Sequence, residues 1–168
     1  MRARMSRLAL FSTLVLAAAC GKEIGDECSN SLDCGDGTNP ALICDTTSPG
    51  GYCTEQGCDW NTCPEEAVCV RFYAASFSNK PCDLAAEDLT EDRCSLDEVC
   101  TLKGQCVPRT SEVRYCMRTC DSNDDCRDDY ECRTEALMVS HGGEPVPKPG
   151  ERLTGDLQKF CATAPLLP

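Results

Sequence analysis

Cys120-Asp121-Ser122-Asn123-Asp124-Asp125-Cys126-Arg127-Asp128-Asp129-Tyr130-Glu131-Cys132 sets three cysteines at even intervals, with five residues between neighbours. No pair forms the Cys-x-x-Cys of a zinc knuckle or a thioredoxin-like redox site, and no histidine lies among them. With Cys161 the three make a quartet. The same grouping repeats upstream as Cys28, Cys34, Cys44 and Cys53, then Cys58, Cys63, Cys69 and Cys82, then Cys94, Cys100, Cys106 and Cys116. First gaps are 5, 4, 5 and 5 residues and second gaps 9, 5, 5 and 5, whereas third gaps vary from 8 to 28. Text echoes accompany the spacing: Cys28-Ser-Asn-Ser-Leu-Asp-Cys34 beside Cys120-Asp-Ser-Asn-Asp-Asp-Cys126, and Cys63-Pro-Glu-Glu-Ala-Val-Cys69 beside Cys94-Ser-Leu-Asp-Glu-Val-Cys100. Degenerate tandem repeats are the reading.

Aromatic residues make up only 5% of the chain, so a large apolar core is excluded and the bridges themselves must hold the fold. The expected class is a small disulfide-rich protein of short β-hairpins and loops with little helix, laid out as an extended series of cysteine-stapled modules. A quartet allows three connectivities. Crossed pairing is preferred, because it staples a short hairpin against its preceding loop. It gives Cys28-Cys44, Cys34-Cys53, Cys58-Cys69, Cys63-Cys82, Cys94-Cys106, Cys100-Cys116, Cys120-Cys132 and Cys126-Cys161. Modules 1 and 2 then occupy residues 28–82 and modules 3 and 4 residues 94–161, with a linker or short helix at 83–93, where Asp83 is a candidate N-cap, and a tail at 162–168.

Local patterns fill in little more. Val68, Val70 and Phe72 alternate with Cys69 and Arg71, which predicts a strand over 67–73. Pro49-Gly50-Gly51 marks a turn before Tyr52. Glycines and prolines without period from Thr134 to Lys159 predict a mobile surface loop at 134–159. The apolar stretch Val68 to Phe77 is read as the small core of the middle modules, with a partner-contact face as the alternative.

At the amino end, Arg2, Arg4 and Arg7 precede an uncharged run from Leu8 to Ala19, the layout of a signal peptide at 1–19. Twelve helical residues rise about 18 Å, short of the roughly 30 Å of a hydrocarbon core. Ala17-Ala18-Ala19-Cys20-Gly21 reads as an imperfect lipobox with Cys20 as the acylated, palmitate-type lipidation residue. Parity supports it: removing Cys20 from 17 cysteines leaves an even set. Residues 20–27 are then a lipidated tether, its Gly21 to Glu27 part reaching about 25 Å when extended. Gly21 rather than Asp after the cysteine points to the outer membrane. Loss of three arginines takes the formal charge from −12 to −15, which disfavours nucleic acid and anionic lipid.

The stretches Gly25-Asp26-Glu27-Cys28, Leu32-Asp33-Cys34, Gly50-Gly51-Tyr52-Cys53-Thr54, Cys63-Pro64-Glu65-Glu66-Ala67-Val68-Cys69 and Asp125-Cys126-Arg127-Asp128-Asp129-Tyr130-Glu131-Cys132 resemble the cysteine-rich lipoproteins of myxobacteria. The resemblance covers most of the mature chain and implies an envelope location without implying a catalytic residue.

The candidate chemistries are thin. His141, the only histidine, falls in the expected mobile loop, so no nucleophile-histidine machinery is expected and no cofactor is implied. Asp121, Asn123 and Asp125 occupy the first, third and fifth positions of an EF-hand-like loop, but Cys126 and Cys132 stand where glycine and the bidentate glutamate belong, leaving a weak calcium candidate. Glu65-Glu66 and Asp128-Asp129 read as solvated surface pairs. The expectation is a lipid-anchored envelope protein that binds or presents, attached to the membrane through its lipid alone. A further partner, protein or polysaccharide, is left unnamed by the sequence. Alternatives are a disulfide-knot protease inhibitor presenting Thr38 to Ile43, and a weakly calcium-binding adhesion module.

Overall fold

The computed structural model describes residues 21–35, 39–73, 80–86, 93–153 and 155–165. Signal segment 1–19, Cys20, Phe77 and most of the expected 83–93 helix fall outside them. The fold is small, mostly β and disulfide-rich, as its composition requires.

The middle of the molecule is built on β3 (Ala67–Tyr73), the strand the alternation of Val68, Val70 and Phe72 predicts. It pairs antiparallel along its whole length with β7 (Glu112–Arg118), from Ala67 opposite Arg118 to Tyr73 opposite Glu112. β9 (Glu144–Pro145) adds a third strand on the other edge of β3. Three smaller sheets surround this one. β1 (Leu42–Asp45) pairs with β2 (Tyr52–Glu55), and β8 (Tyr130–Arg133) with β10 (Phe160–Thr163). β6 (Gln105–Pro108) lies between β4 (Lys80–Pro81) and β5 (Glu98–Cys100).

The bridges explain this arrangement and correct the tandem layout. Cys28-Cys44, Cys34-Cys53, Cys58-Cys69, Cys94-Cys106, Cys120-Cys132 and Cys126-Cys161 are joined in the crossed manner. Cys63 pairs with Cys116, not Cys82, and Cys82 pairs with Cys100, so the expected Cys63-Cys82 and Cys100-Cys116 bridges are absent. The physical reason is the β3–β7 pairing, which sets Cys69 opposite Cys116 and carries Cys116 beside Cys63. Each quartet therefore keeps crossed pairing, but one is nested in another: Cys82, Cys94, Cys100 and Cys106 form a unit inserted between β3 and β7, within Cys58, Cys63, Cys69 and Cys116.

With the quartets sorted this way, the repeat is geometric as well as textual. In all four, the third and fourth cysteines face each other across an antiparallel pair: Cys44 and Cys53, Cys69 and Cys116, Cys100 and Cys106, Cys132 and Cys161. A turn precedes each third cysteine, closed by an N–H to carbonyl bond from Leu42 to Asn39, Ala67 to Pro64, Glu98 to Ser95 and Tyr130 to Arg127.

The modules are packed together, against the expectation of an extended series. Phe160, Val70, Tyr52, Tyr130, Met138 and Ile24 share one core across the first, second and fourth units. Tyr52 stacks on Tyr130 with ring centroids 5.4 Å apart, and the Arg127 guanidinium lies 4.6 Å above the Tyr130 ring while donating to the Gly51 carbonyl at 2.7 Å. The first and last quartets thus clasp one another.

The segment 134–159 is also not the expected loop. Glu135–His141 forms helix α1, whose Met138 is only 2% exposed, and Val146 and Leu153 are buried farther along. Arg133 holds the helix end by donating to the His141 and Gly142 carbonyls and, across the sheet, to Thr163. The glycines are the helix stop: Gly142 and Gly143 have φ of 85° and 78°, and a Cβ on Gly143 would lie 2.7 Å from Phe72 Cε1. At 83–86 the chain makes a turn capped by Asp83, whose carboxylate accepts from the Ala85 N–H.

Candidate functional site

The sequence-derived candidates do not converge on one site among the described residues. Asp125 Oδ2 accepts the N–H groups of Asp121 and Ser122, both at 2.9 Å, and Asn123 Oδ1 accepts the N–H of Cys132 at 2.8 Å. Asp125 Oδ2 and Asn123 Oδ1 are thus directed at their own backbone, as caps rather than as members of an EF-hand-like ligand set. The loop around Asp33 is built alike, its carboxylate accepting from Ser29 at 2.7 Å and Asn30 at 3.2 Å. These donors hold both carboxyls below the ordinary value of 3.8. The two Asp residues cap short 3-10 turns, Ser31–Asp33 and Asn123–Asp125.

Of the expected inhibitor loop, Leu42 and Ile43 pair with Glu55 and Thr54 in β1–β2, an edge of a two-stranded sheet. Thr38 lies outside the described residues.

His141 is held, contrary to its placement in a mobile loop. It closes α1 with Nδ1 2.6 Å from Glu131 Oε1, an oxygen that also accepts from Arg133 at 3.2 Å. The neighbouring Ser140 hydroxyl donates back to the Ala136 carbonyl. Cys28, Cys34 and Cys53 have Sγ atoms within 4.8 Å of one another, as do three cysteines in each other unit, but all are bound in disulfides and present no thiolate.

One buried charged pair lay beyond sequence reasoning. Glu144, 3% exposed, accepts from Arg71 Nε at 2.8 Å through Oε1 and from the Leu102 N–H at 2.7 Å through Oε2. Beside it a cavity of about 220 Å³ opens between the inserted unit and α1, lined among others by Phe72, Leu102, Met138 and Gly143. Burial pushes the Glu144 carboxyl up, against the pull of Arg71. Through these two contacts Glu144 latches the inserted unit to β3. Proximity of Arg71 to Glu144 needed the β3–β9 register, for which the proline-rich text gave no cue.

The anchor end differs most from expectation. Residues 22–26 are stitched into the first unit: Gly35 N–H donates to the Lys22 carbonyl, Gly25 N–H to that of Cys53, and Cys53 N–H to that of Asp26, each at 2.9 Å. Ile24 is 1% exposed in the shared core. The seven-residue tether therefore does not exist as a free segment; of its residues before Lys22, the described chain leaves Gly21 alone. No described helix is long and apolar enough to cross a membrane.

Comparison with protein-family models, characterised proteins and solved structures finds no match to this chain.

Proposed function

We propose that this chain is an exported lipoprotein, acylated on Cys20, that works at the cell envelope by binding or structural presentation. One observation carries the reading: eight bridges join all sixteen cysteines from Cys28 to Cys161 to one another, and Cys20 is the one cysteine of the sequence outside that set. Closed disulfides in this number belong to an oxidising compartment outside the cytosol. Cys20 follows Ala17-Ala18-Ala19 at the end of a short apolar run, where lipid attachment would remove the odd thiol. The cysteine-rich lipoproteins of myxobacteria remain the group it resembles, and Gly21 after the lipidated residue favours the outer membrane.

The test is the intact mass of the protein extracted from its own membrane, before and after reduction and thiol labelling. The expected result is a chain beginning at acylated Cys20, unlabelled before reduction and carrying sixteen labels after it. A mature chain without acyl mass, or with thiols that label before reduction, overturns the proposal.

A further inference from the structure

The docking of residues 22–26 has a consequence for how the protein meets its membrane, and it rests on the lipoprotein reading above. Two Cα steps separate Cys20 from Lys22, so the acylated residue lies within about 7 Å of a backbone position fixed in the first unit. Lys22 bridges to Cys34 and Gly35. Immediately before Cys34 stands the 3-10 turn Ser31–Asp33, and at its tip Leu32 is 92% exposed. The turn carries one charged side chain, Asp33, whose carboxylate accepts from the N–H groups of Ser29 and Asn30.

An acyl chain enters the hydrocarbon, and the interfacial layer above it is only about 5 to 7 Å deep on each side. Backbone that close to the attachment point cannot stand away from the surface without a spacer, and here the spacer is folded in. We infer that the turn Ser31–Asp33 is a membrane-contact surface, its partner the bilayer interface and its inserted side chain Leu32. The first unit is then a rigid foot seated on the lipid rather than a bead on a string. Exposed Lys22, Glu23 and Glu27 on the same segment sum to a net negative charge, which makes a zwitterionic surface the better match than an anionic one.

The lipidated full chain is reconstituted in phosphatidylcholine vesicles with brominated acyl chains, which quench indole at close range. Trp60 is the only tryptophan, so Trp60→Phe/Leu32→Trp places one reporter on the turn, and Trp60→Phe/Leu96→Trp places it on an equally bare leucine, 99% exposed, in the inserted unit. Vesicle flotation and non-reducing mass mapping accompany both. The indole at position 32 is expected to shift to the blue and lose about half its emission, as an amphipathic ring does at the interface. The indole at position 96 is expected to keep its emission. Ten Gly-Ser residues inserted between Gly21 and Lys22, a spacer of about 17 Å on average, are expected to abolish the quenching while flotation persists. A floating, correctly bridged chain whose position 32 is quenched no more than position 96 overturns the contact surface and leaves the lipid reading standing. A chain that does not float overturns both.

Discussion

Single atoms decide where this chain tolerates change. Gly143 combines a left-handed φ of 78° with a Cβ position 2.7 Å from Phe72 and 3.0 Å from Phe160, the latter wholly buried. Gly143→Ala must move two core rings and adopt a strained backbone, and is expected to cost about 2 to 4 kcal/mol in urea unfolding, while Gly150→Ala, with nothing within 4 Å of its Cβ, pays for strain alone. The two capping aspartates contribute to the acid response, as does Asp45, whose carboxyl is also held low. Donors hold their folded-state values below the ordinary 3.8, so their contribution is complete above that value and is lost as pH falls through the folded values. Asp33→Asn and Asp125→Asn are each expected to flatten the fall in thermal midpoint below about pH 3.8. A midpoint that falls as steeply in the double variant as in the parent would show that the caps do not govern acid unfolding. Such residues are half legible: the echo between Ser29-Asn30-Ser31-Leu32-Asp33 and Asp121-Ser122-Asn123-Asp124-Asp125 is visible as text, yet read alone it suggests a cation loop. Only the direction of the oxygens distinguishes a cap from a ligand.

Among the elements, those announced by a local pattern agree with the sequence, and those made by distant partners do not. The alternation of Val68, Val70 and Phe72 fixes β3 because period two is a property of the strand itself. Helix α1 was hidden because Gly142-Gly143 and three nearby prolines read as loop, although Glu135-Ala136-Leu137-Met138 ahead of a glycine stop is a helix end in miniature. The buried latch between Glu144, Arg71 and the Leu102 N–H is wholly tertiary and joins β9, β3 and the inserted unit. Its carboxyl is raised, so by linkage its contribution is greatest below the ordinary value of 4.5 and declines as pH rises through the folded value. Glu144→Ala is expected to lower stability by about 3 to 5 kcal/mol at neutral pH, since it leaves the Arg71 guanidinium and the Leu102 N–H without their acceptor, and to remove that decline from the stability profile above pH 4.5. Equal slopes in parent and variant would assign the pH dependence elsewhere.

At the scale of the whole molecule, the nesting of one quartet inside another is what counting cysteines could not reveal. Spacing groups neighbours in sequence, whereas bridges follow neighbours in space, and the two differ once a unit is inserted between strands that pair. A cue was present: Val113, Tyr115 and Met117 alternate through Glu112–Arg118 as Val68, Val70 and Phe72 do through β3, which makes the two segments natural partners and draws Cys116 toward Cys69. Nesting also makes a strong demand. Since Tyr73 and Glu112 are directly opposite, the β3–β7 hairpin is already closed at the point of insertion, and everything between is an appendage. Replacing residues 74–111 by a two-residue Asn-Gly turn should leave a folded chain with six bridges, Cys63-Cys116 among them. The excised chain loses the Leu102 donor to Glu144 but keeps Arg71, so a destabilisation of about 1 to 3 kcal/mol is expected rather than collapse. Mass mapping without reduction reads the bridges, and near-ultraviolet circular dichroism reads the stacked Tyr52 and Tyr130. If Cys63 and Cys116 scramble on excision while Cys28-Cys44 and Cys126-Cys161 survive, the inserted unit is a folding partner of the β3–β7 hairpin and not an appendage to it.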